Sequence, residues 1–338
     1  MKYNLMYDYA EGAHPRILDA LIRTNFEQQH GYGEDEYCIE AAALLQELLQ
    51  CRASDIHFMS GGTQANLITL SSAIKPYQSV IAANTGHISI HEAGAIESTG
   101  HKINEINSSD GKINSEQINE ILSMHTDEHC VMPRIVYISN ATELGNIYTK
   151  KEIEDLSEFC RSKGLYFFMD GARLGASLAS KSQDLNMSDL CRLLDCFYIG
   201  GTKNGALLGE AIVLVNDELK KDFRYSIKQR GGLLAKGRVI GIQFLELFRD
   251  GLFFELARHA NEMAELLAIA MAQKAYKFYT PPQTNMIFPV LTEKEILRLE
   301  QNYLFYRWKK LNNDETVIRL VTSWATDKKI ILKLVNEL

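Results

Sequence analysis

The sequence has no apolar run approaching about 18 residues, the length that a membrane-spanning helix needs. Its opening residues, Met1–Asp8, reach a charge before the apolar core of a signal peptide develops. No C-x-x-C pair occurs, and the cysteines lie mostly within apolar or helical patterns, which is typical of free thiols in a reducing compartment. We therefore expect a cytoplasmic protein. The six cysteines are Cys38, Cys51, Cys130, Cys160, Cys191 and Cys196.

Several functional signatures are also missing. No basic stripe interleaved with aromatic residues occurs, and the formal net charge is -7, which disfavours a nucleic-acid binder. The dinucleotide fingerprint G-x-G-x-x-G, the nucleotide triphosphate ending G-K-[ST] and the zinc motif H-E-x-x-H are all absent. What remains is a chain of 338 residues, 46% apolar and 23% charged, which suits a globular protein of roughly two domains.

Two kinds of pattern alternate along the first 245 residues. Helical spacing of apolar residues occurs at Ile39–Leu49 and Ile153–Cys160. Short apolar runs bounded by turn residues predict buried strands at Ile56–Met59, Val80–Ala83, Ile135–Ile138, Leu165–Met169, Cys196–Ile199 and Ala211–Val215. This alternation predicts an α/β fold with a mainly parallel sheet.

The pattern changes after about residue 244. A long helical stretch, Phe253–Ala272, is followed by shorter apolar segments and a final helix. We predict a large domain over residues 1–245 and a small α+β domain over residues 246–338. The shorter segments are Met286–Val290, Leu304–Trp308 and Val317–Val321.

Asp170 and Lys203 form the most informative pair. Asp170 ends the run Leu165–Met169, and Lys203 lies in a glycine-rich turn after the run Cys196–Ile199. If the two runs are adjacent strands, a carboxylate and an amine meet in one crevice, where open α/β sheets bind ligands. Pyridoxal 5'-phosphate (PLP) needs such a pair, because the lysine forms a Schiff base with its aldehyde and the aspartate keeps its pyridine nitrogen protonated. Taken singly, Lys203 is better explained as a solvated surface residue and Asp170 as the cap of the next helix or turn.

A second loop predicts a phosphate site. Ser60–Thr63 follows the strand Ile56–Met59 and precedes a helical pattern. Small residues let the backbone approach an anion, and the start of a helix offers free N–H groups. Taken alone, the loop is better explained as a Gly-Gly turn before a helix, with Thr63 as an ordinary N-cap.

Three further polar side chains are candidates for the same crevice. His87 follows the strand Val80–Ala83 and could lie over a flat ring and move a proton, although ordinary loop polarity is the alternative. Arg173 could hold a substrate carboxylate with both arms of its guanidinium. Arg319 lies inside the apolar segment Val317–Val321 and must have a partner, either an internal ion pair or a ligand carboxylate.

These residues together resemble the threonine aldolase / β-eliminating lyase family of fold-type-I PLP-dependent enzymes. The similarity rests on Asp170–Arg173, the Thr202–Lys203 turn, Ser60–Thr63, the spacing of His87, Glu92 and Gly94, and Glu11–Pro15, and it extends over nearly the whole chain.

The resemblance implies the PLP-dependent transferase-like fold of aspartate aminotransferase, with residues 1–15 near the active site. It also implies a role for each candidate residue and a homodimer or homotetramer with shared active sites, to which Tyr32–Asp35 and the segment around Lys228 could contribute. The implied roles are Lys203 as the Schiff-base lysine, Asp170 at the pyridine nitrogen, His87 stacked on the ring, Gly62, Thr63 and Lys228 at the phosphate, and Arg173 with Arg319 at the substrate carboxylate.

Two departures concern the substrate. Many threonine aldolases begin with a Ser-Asp pair whose serine helps to bind the substrate, and Tyr7 replaces that serine here. Thr142 or Glu143 stands where well-known aldolases place a histidine that faces the substrate hydroxyl. We expect cleavage of Cα–Cβ in a β-hydroxy-α-amino acid, threonine or allo-threonine, to glycine and acetaldehyde. A PLP-dependent β-eliminating lyase or aminotransferase and a non-catalytic PLP-binding protein are the alternatives, and no metal, nucleic acid or membrane is expected.

Overall fold

The computed structural model describes residues 2–338 and places a large α/β unit before a smaller α+β unit. Within these residues no helix is long and apolar enough to cross a membrane. The six cysteines are free thiols, as expected. The cytoplasmic location stays a prediction.

A seven-stranded sheet organises the large unit within residues 2–338. Its spatial order is β2-β8-β7-β6-β5-β3-β4, and β8 alone runs against its neighbours, so the sheet is mainly parallel as predicted. The strands are β2 (Asp55–Met59), β3 (Gln78–Ala83), β4 (Lys102–Ile106), β5 (Met132–Ser139), β6 (Tyr166–Asp170), β7 (Cys196–Gly200) and β8 (Glu210–Leu214).

All six strands predicted for this part of the chain are confirmed, and two details differ. The prediction missed β4, because its sequence Lys-Ile-Asn-Glu-Ile contains no apolar run. It also expected the strand at Ile56–Met59 to be buried on both faces, which is wrong, because β2 is an edge strand with β8 as its sole neighbour and is mostly half-buried. With β2 at one edge of the sheet and β4 at the other, the strands β5, β6 and β7 lie near its centre.

Helices cover both faces of the sheet, and two apolar clusters fill the space between. Buried side chains of β5 and β6 alternate between these clusters, so the central strands are apolar on both sides. The helices of the large unit are α1 (Pro15–Arg23), α2 (Glu36–Leu48), α3 (Gly62–Ala73), α4 (His87–Ile90), α5 (Ser115–Met124), α6 (Lys150–Lys163), α7 (Leu174–Leu178), α8 (Met187–Leu193), α9 (Asp217–Lys220), α10 (Phe223–Gln229) and α11 (Arg238–Phe248).

The smaller unit packs the long helix α12 against a small antiparallel sheet, around a third apolar cluster. The N-terminal strand β1 joins this part, because it pairs with β11 and because Leu5 is buried in the same cluster. The elements are β1 (Tyr3–Asn4), α12 (Leu252–Gln273), β9 (Met286–Ile287), β10 (Val290–Thr292), α13 (Glu293–Leu299), β11 (Tyr303–Leu304), β12 (Tyr306–Lys310), β13 (Glu315–Val321) and α14 (Lys328–Glu337).

The helix α12 belongs to both units. Apolar side chains up to Leu256 pack with the large sheet, whereas those from Met263 onward pack with the small sheet. The proposed boundary between residues 245 and 246 falls inside α11 and stays a prediction. The N-terminal segment runs from β1 in the small unit to α1 in the large unit. On the way, Met6 contacts Arg319 and Asp8 contacts Arg173.

Candidate active site

Asp170 lies at the carboxyl end of β6 and is 3% exposed. Three side chains donate to its carboxylate: Tyr198 Oη at 2.5 Å to Oδ1, Tyr137 Oη at 2.6 Å to Oδ2 and Asn66 Nδ2 at 3.0 Å to Oδ2. Burial alone would raise the pKa of Asp170, but the nearby His87 and the two tyrosine hydroxyls hold it below the ordinary value. The carboxylate is therefore ionised, rigid and placed for a cationic partner.

Lys203 lies in the turn that follows β7, the strand next to β6. The predicted adjacency of the two strands is therefore confirmed, and their carboxyl ends meet. Burial lowers the pKa of the Lys203 amine, and the positive charge of Arg173 acts in the same direction, while Asp8 and Asp170 oppose them. A lowered pKa increases the share of the neutral amine, which is the form of lysine that attacks a carbonyl carbon.

Glu210 is a further acid beside this turn that the sequence did not single out. Its carboxylate accepts from Thr202 Oγ1 at 2.9 Å and from the Gly201 backbone N–H at 3.2 Å. Burial raises the pKa of Glu210 to about 8, despite the opposing charge of Lys203. Glu210 therefore fixes the turn that presents the lysine.

His87 begins the short helix α4, where its ring contacts a buried carboxylate. Its Nδ1 lies 2.8 Å from Glu92 Oε1, and its backbone N–H donates to Glu143 Oε1 at 3.1 Å. Burial would lower the pKa of His87, but Glu92 and Asp170 raise it above the ordinary value overall. Asn66 Nδ2 donates both to Glu92 and to Asp170, so His87 lies in the same crevice as Asp170.

The predicted phosphate loop starts helix α3. Gly61 is the N-cap and makes no side-chain capping bond, so Thr63 is a helical residue and not the N-cap. The first N–H groups of the helix consequently have no intrahelical partner. A Cβ at Gly62 would meet Tyr198 Oη at 3.0 Å, so the loop packs directly against a tyrosine that holds Asp170.

Arg173 already has a partner in the chain. Its Nε and Nη2 donate to the two carboxylate oxygens of Asp8 at 2.8 and 3.0 Å, and Asn285 Nδ2 donates to the same carboxylate at 2.9 Å. Asp8 is 1% exposed, and Arg173 keeps the pKa of its carboxyl below the ordinary value although burial opposes this. The expected role of Arg173 at a substrate carboxylate stays a prediction.

Arg319 lies on β13 with its guanidinium against two aromatic rings. Its Cζ is 4.7 Å from the ring centre of Tyr306 and 5.1 Å from that of Trp308. Its Nη2 donates to the Met6 carbonyl at 3.1 Å, and its buried Nε has no hydrogen-bond partner within residues 2–338. Burial and the charge of Arg173 lower the pKa of Arg319 to about 10, although the charge of Asp8 opposes them.

Two predicted residues lie at the edges of this arrangement. Tyr7 stacks on Tyr9, with ring centres 4.7 Å apart, and Tyr9 lies near both Arg173 and Arg319. Lys228 is exposed on α10, and its Nζ lies 4.6 Å from the ring centre of Tyr32 in the same chain. The residues after Lys228 reach the phosphate loop, because the Arg230 carbonyl accepts from Gln64 Nε2 at 3.4 Å.

Thr142 and Glu143, which stand where well-known aldolases have a histidine that faces the substrate hydroxyl, lie in different environments. Thr142 is buried and donates to the Asp110 carbonyl at 3.2 Å, away from His87. Glu143 accepts from Ser139 Oγ at 2.8 Å and from the His87 backbone, and burial with the charge of Asp170 raises its pKa. Glu143 is therefore part of the crevice.

Comparison with known proteins identifies the family of the chain. The sequence profile described as beta-eliminating lyase matches residues 7–294. The chain belongs to the beta-eliminating lyase family. One relative is the low specificity L-threonine aldolase of Pseudomonas sp. (strain NCIMB 10558). It is 31% identical to this chain, and the match covers 98% of this chain and 95% of that protein.

Solved structures extend the comparison. The threonine aldolase of Leishmania major is 46% identical, with a TM-score of 0.98 over 99% of this chain and 98% of that one. An aspartate aminotransferase variant of Thermus thermophilus is 13% identical, with a TM-score of 0.73 over 99% and 90% of the two chains. The latter likeness concerns the fold alone, and it confirms the predicted fold type I.

Proposed function

We propose that this protein is a PLP-dependent carbon-carbon lyase that cleaves threonine or allo-threonine to glycine and acetaldehyde. The observation that supports the proposal most strongly is the meeting of Asp170 and Lys203 at the ends of adjacent strands. The names of the Pseudomonas and Leishmania relatives favour this reaction over β-elimination and transamination.

The residues at the crevice suit PLP in three ways. A buried, ionised Asp170 needs a cation, and a protonated pyridine nitrogen would supply it. The start of α3 offers unpaired N–H groups for a phosphate, and a Cβ at Gly62 would lie only 3.0 Å from Tyr198 Oη. The lowered pKa of Lys203 suits an amine that must bond to an aldehyde.

We assign the cofactor contacts on these grounds. Lys203 would hold the aldehyde carbon, Asp170 the pyridine nitrogen, His87 the face of the ring, and Gly62 with Thr63 the phosphate. Lys228 would add positive charge near the phosphate. When bound, PLP supplies a conjugated ring that accepts the electron pair released at Cα.

The substrate carboxylate would bind at Arg319. Its unpaired Nε and its lowered pKa both indicate a guanidinium prepared for an anion, and the rings of Tyr306 and Trp308 keep it in place. Arg173 would support this anion by its charge, and Tyr7, stacked on Tyr9, would be a further contact for the substrate. Holding the carboxylate in one place fixes which bond at Cα is presented for cleavage.

His87 is our candidate for the base. The proton of the β-hydroxyl would pass to His87 as the Cα–Cβ bond breaks, which leaves acetaldehyde. Cα then takes up a proton, and glycine departs from Arg319. The ring of His87 lies near both Asp170 and Lys203, which supports this role.

We also propose that the chain acts as a homo-oligomer. Large apolar side chains are unusually exposed on the segment from α1 to α2 and on α10, which is the side that carries Tyr32 and Lys228. A second copy could cover them. The exposed residues are Ile22 at 72%, Phe26 at 95%, Ile39 at 61% and Tyr225 at 79%. Light scattering after size exclusion gives the assembled mass.

A substrate panel tests the reaction directly. The protein loaded with PLP is incubated with threonine, allo-threonine, serine and cysteine, and the products are separated by chromatography. Glycine and acetaldehyde from threonine or allo-threonine support the proposal. Pyruvate and ammonia from serine or cysteine, without glycine from either threonine isomer, would indicate β-elimination instead. Bound cofactor without any product would indicate a non-catalytic protein.

A further inference from the structure

Glu92 is a buried acid to which the proposed reaction gives no task. Its side chain is 0% exposed, and its Oε1 lies 2.8 Å from His87 Nδ1 and 2.7 Å from Asn66 Nδ2. Its Oε2 is buried and has no hydrogen-bond partner within residues 2–338. A buried carboxylate with an unpaired oxygen costs folding free energy, so stability does not explain why an acid stands here.

Asn66 connects this acid to the cofactor site. Its Nδ2 donates to Glu92 Oε1 at 2.7 Å and to Asp170 Oδ2 at 3.0 Å, so both amide hydrogens are used on carboxylates. Asn66 is 0% exposed and lies on α3, the helix whose start forms the phosphate loop. The position of Glu92 is therefore tied to the same helix and the same aspartate that would hold the cofactor.

The contact with Glu92 decides which nitrogen of His87 carries the hydrogen. A carboxylate accepts only, so Nδ1 must donate, and the neutral ring then has its lone pair on Nε2. From this geometry we propose that Glu92 is a positioning residue for His87, which holds the ring in the tautomer whose Nε2 can take the substrate hydroxyl proton. The proposal rests on the proposed function, because it concerns the base of that reaction.

A carboxylate in this position has a second effect. Once Nε2 has accepted a proton, the ring carries a positive charge, and an ionised acid at Nδ1 stabilises that charge. The pKa of His87 is raised in the structure, although burial opposes this, and the hydrogen bond that His87 donates to Glu92 is the strongest of the effects that raise it. Glu92 therefore makes His87 a stronger base while it fixes the ring.

Other charged groups face His87, and none replaces Glu92. Asp170 and Lys203 act on the ring with opposite signs, and Glu143 contacts the backbone N–H and not the ring. The ring of His91 lies 5.6 Å from that of His87, centre to centre, which is a ring contact without a hydrogen bond. Glu92 is the acid bonded to a ring nitrogen.

The direct test is a titration of His87 by NMR in the protein without cofactor. Histidine ring resonances are recorded against pH for the wild type and for Glu92→Gln, and the His87 signal is identified by its loss in His87→Asn. We expect the midpoint of His87 to move to lower pH in Glu92→Gln. Glu97→Gln, an exposed acid on the following turn, is the matched control and should leave the midpoint unchanged. An unchanged midpoint in Glu92→Gln would overturn the proposal.

The catalytic test uses the same variants loaded with PLP. We expect the plateau of kcat/KM for threonine to fall by roughly tenfold or more in Glu92→Gln, because the base is weaker and its tautomer is no longer fixed. The acidic limb of the pH profile should move to lower pH, with KM nearly unchanged because Arg319 is intact. A fall in activity with an unmoved limb would show a merely structural role.

The two tests separate the possible failures. If the wild type turns over neither threonine isomer, the proposed function fails, while the titration still decides the contact between Glu92 and His87. If Glu92→Gln does not fold, Glu92→Asp serves in its place, because it keeps the charge but withdraws it by one methylene group. Its His87 midpoint should also fall, and an unchanged midpoint would again overturn the proposal.

Discussion

Arg173 holds Asp8 with both arms of its guanidinium, at 2.8 Å from Nε and 3.0 Å from Nη2. The two residues are 165 positions apart in the chain, and the pair ties the N-terminal segment to the turn after β6. The same segment offers the Met6 carbonyl to Arg319. The N-terminal residues therefore form one wall of the crevice, and both candidate carboxylate-binding arginines contact them.

Asp8→Asn should destabilise the protein strongly. Removing one partner of a buried ion pair leaves the other charge unpaired, which costs about 3–5 kcal/mol of unfolding free energy. Chemical denaturation of the two proteins measures the difference. Asp155→Asn breaks the exposed pair between Asp155 and Lys151 and is the matched control, which should change the unfolding free energy little. Equal stability of Asp8→Asn and the wild type would contradict the account of the pair.

Arg319→Gln should weaken substrate binding more than turnover. A hydrogen bond to a charged group contributes about 1.5–3 kcal/mol, so KM for threonine should rise by roughly 10- to 150-fold. Steady-state kinetics with threonine gives kcat and KM separately. Arg307→Gln is the control, because Arg307 lies on the neighbouring strand and pairs with Glu293 and Glu300 at the surface. A KM equal to that of the wild type would place the substrate carboxylate elsewhere.

Asp170→Asn should lower the affinity for PLP. The amide is neutral and can no longer balance a protonated pyridine nitrogen, and its NH₂ group would face a hydroxyl donor such as Tyr137 or Tyr198. Titration of the variant with PLP, followed by visible absorption, measures the affinity. Tyr137→Phe removes one donor to Asp170 but keeps the charge, and should have the smaller effect. Unaltered PLP affinity in Asp170→Asn would remove the aspartate from the cofactor site.

Glu210→Gln should change how stability depends on pH. Burial raises the pKa of Glu210 to about 8 in the folded chain, so between its ordinary value and pH 8 the folded state binds a proton that the unfolded state has lost. The stabilisation from Glu210 is complete below its ordinary pKa and is lost as the pH rises towards 8. The variant without cofactor should therefore lose less unfolding free energy than the wild type over that window. Identical slopes in denaturation at several pH values would contradict this.

The sequence predicted the central strands and the Asp170–Lys203 pair because both depend on local patterns. Apolar runs of four or five residues mark strands that are buried on both faces, and the polar residue after such a run lies at the sheet edge. The strand β4 was missed because its two isoleucines are separated by Asn104 and Glu105, so it contains no apolar run.

The environment of the pair could not be predicted from one sequence. Tyr137 and Tyr198 flank Asp170 because of the register of β5, β6 and β7, which depends on packing between distant segments. Asn66 looked like an ordinary helical residue, and nothing local indicates that Asp8 is the partner of Arg173. Glu92 was visible in the sequence near His87, but its contact requires the turn after α4.

The most direct measurement compares the wild type with Lys203→Ala, by visible absorption after PLP is added and by release of acetaldehyde from threonine. Without the amine, PLP has no covalent attachment, so the absorption band of the attached cofactor should disappear and acetaldehyde release should fall to background. A Lys203→Ala variant that keeps both the band and full turnover would contradict the account.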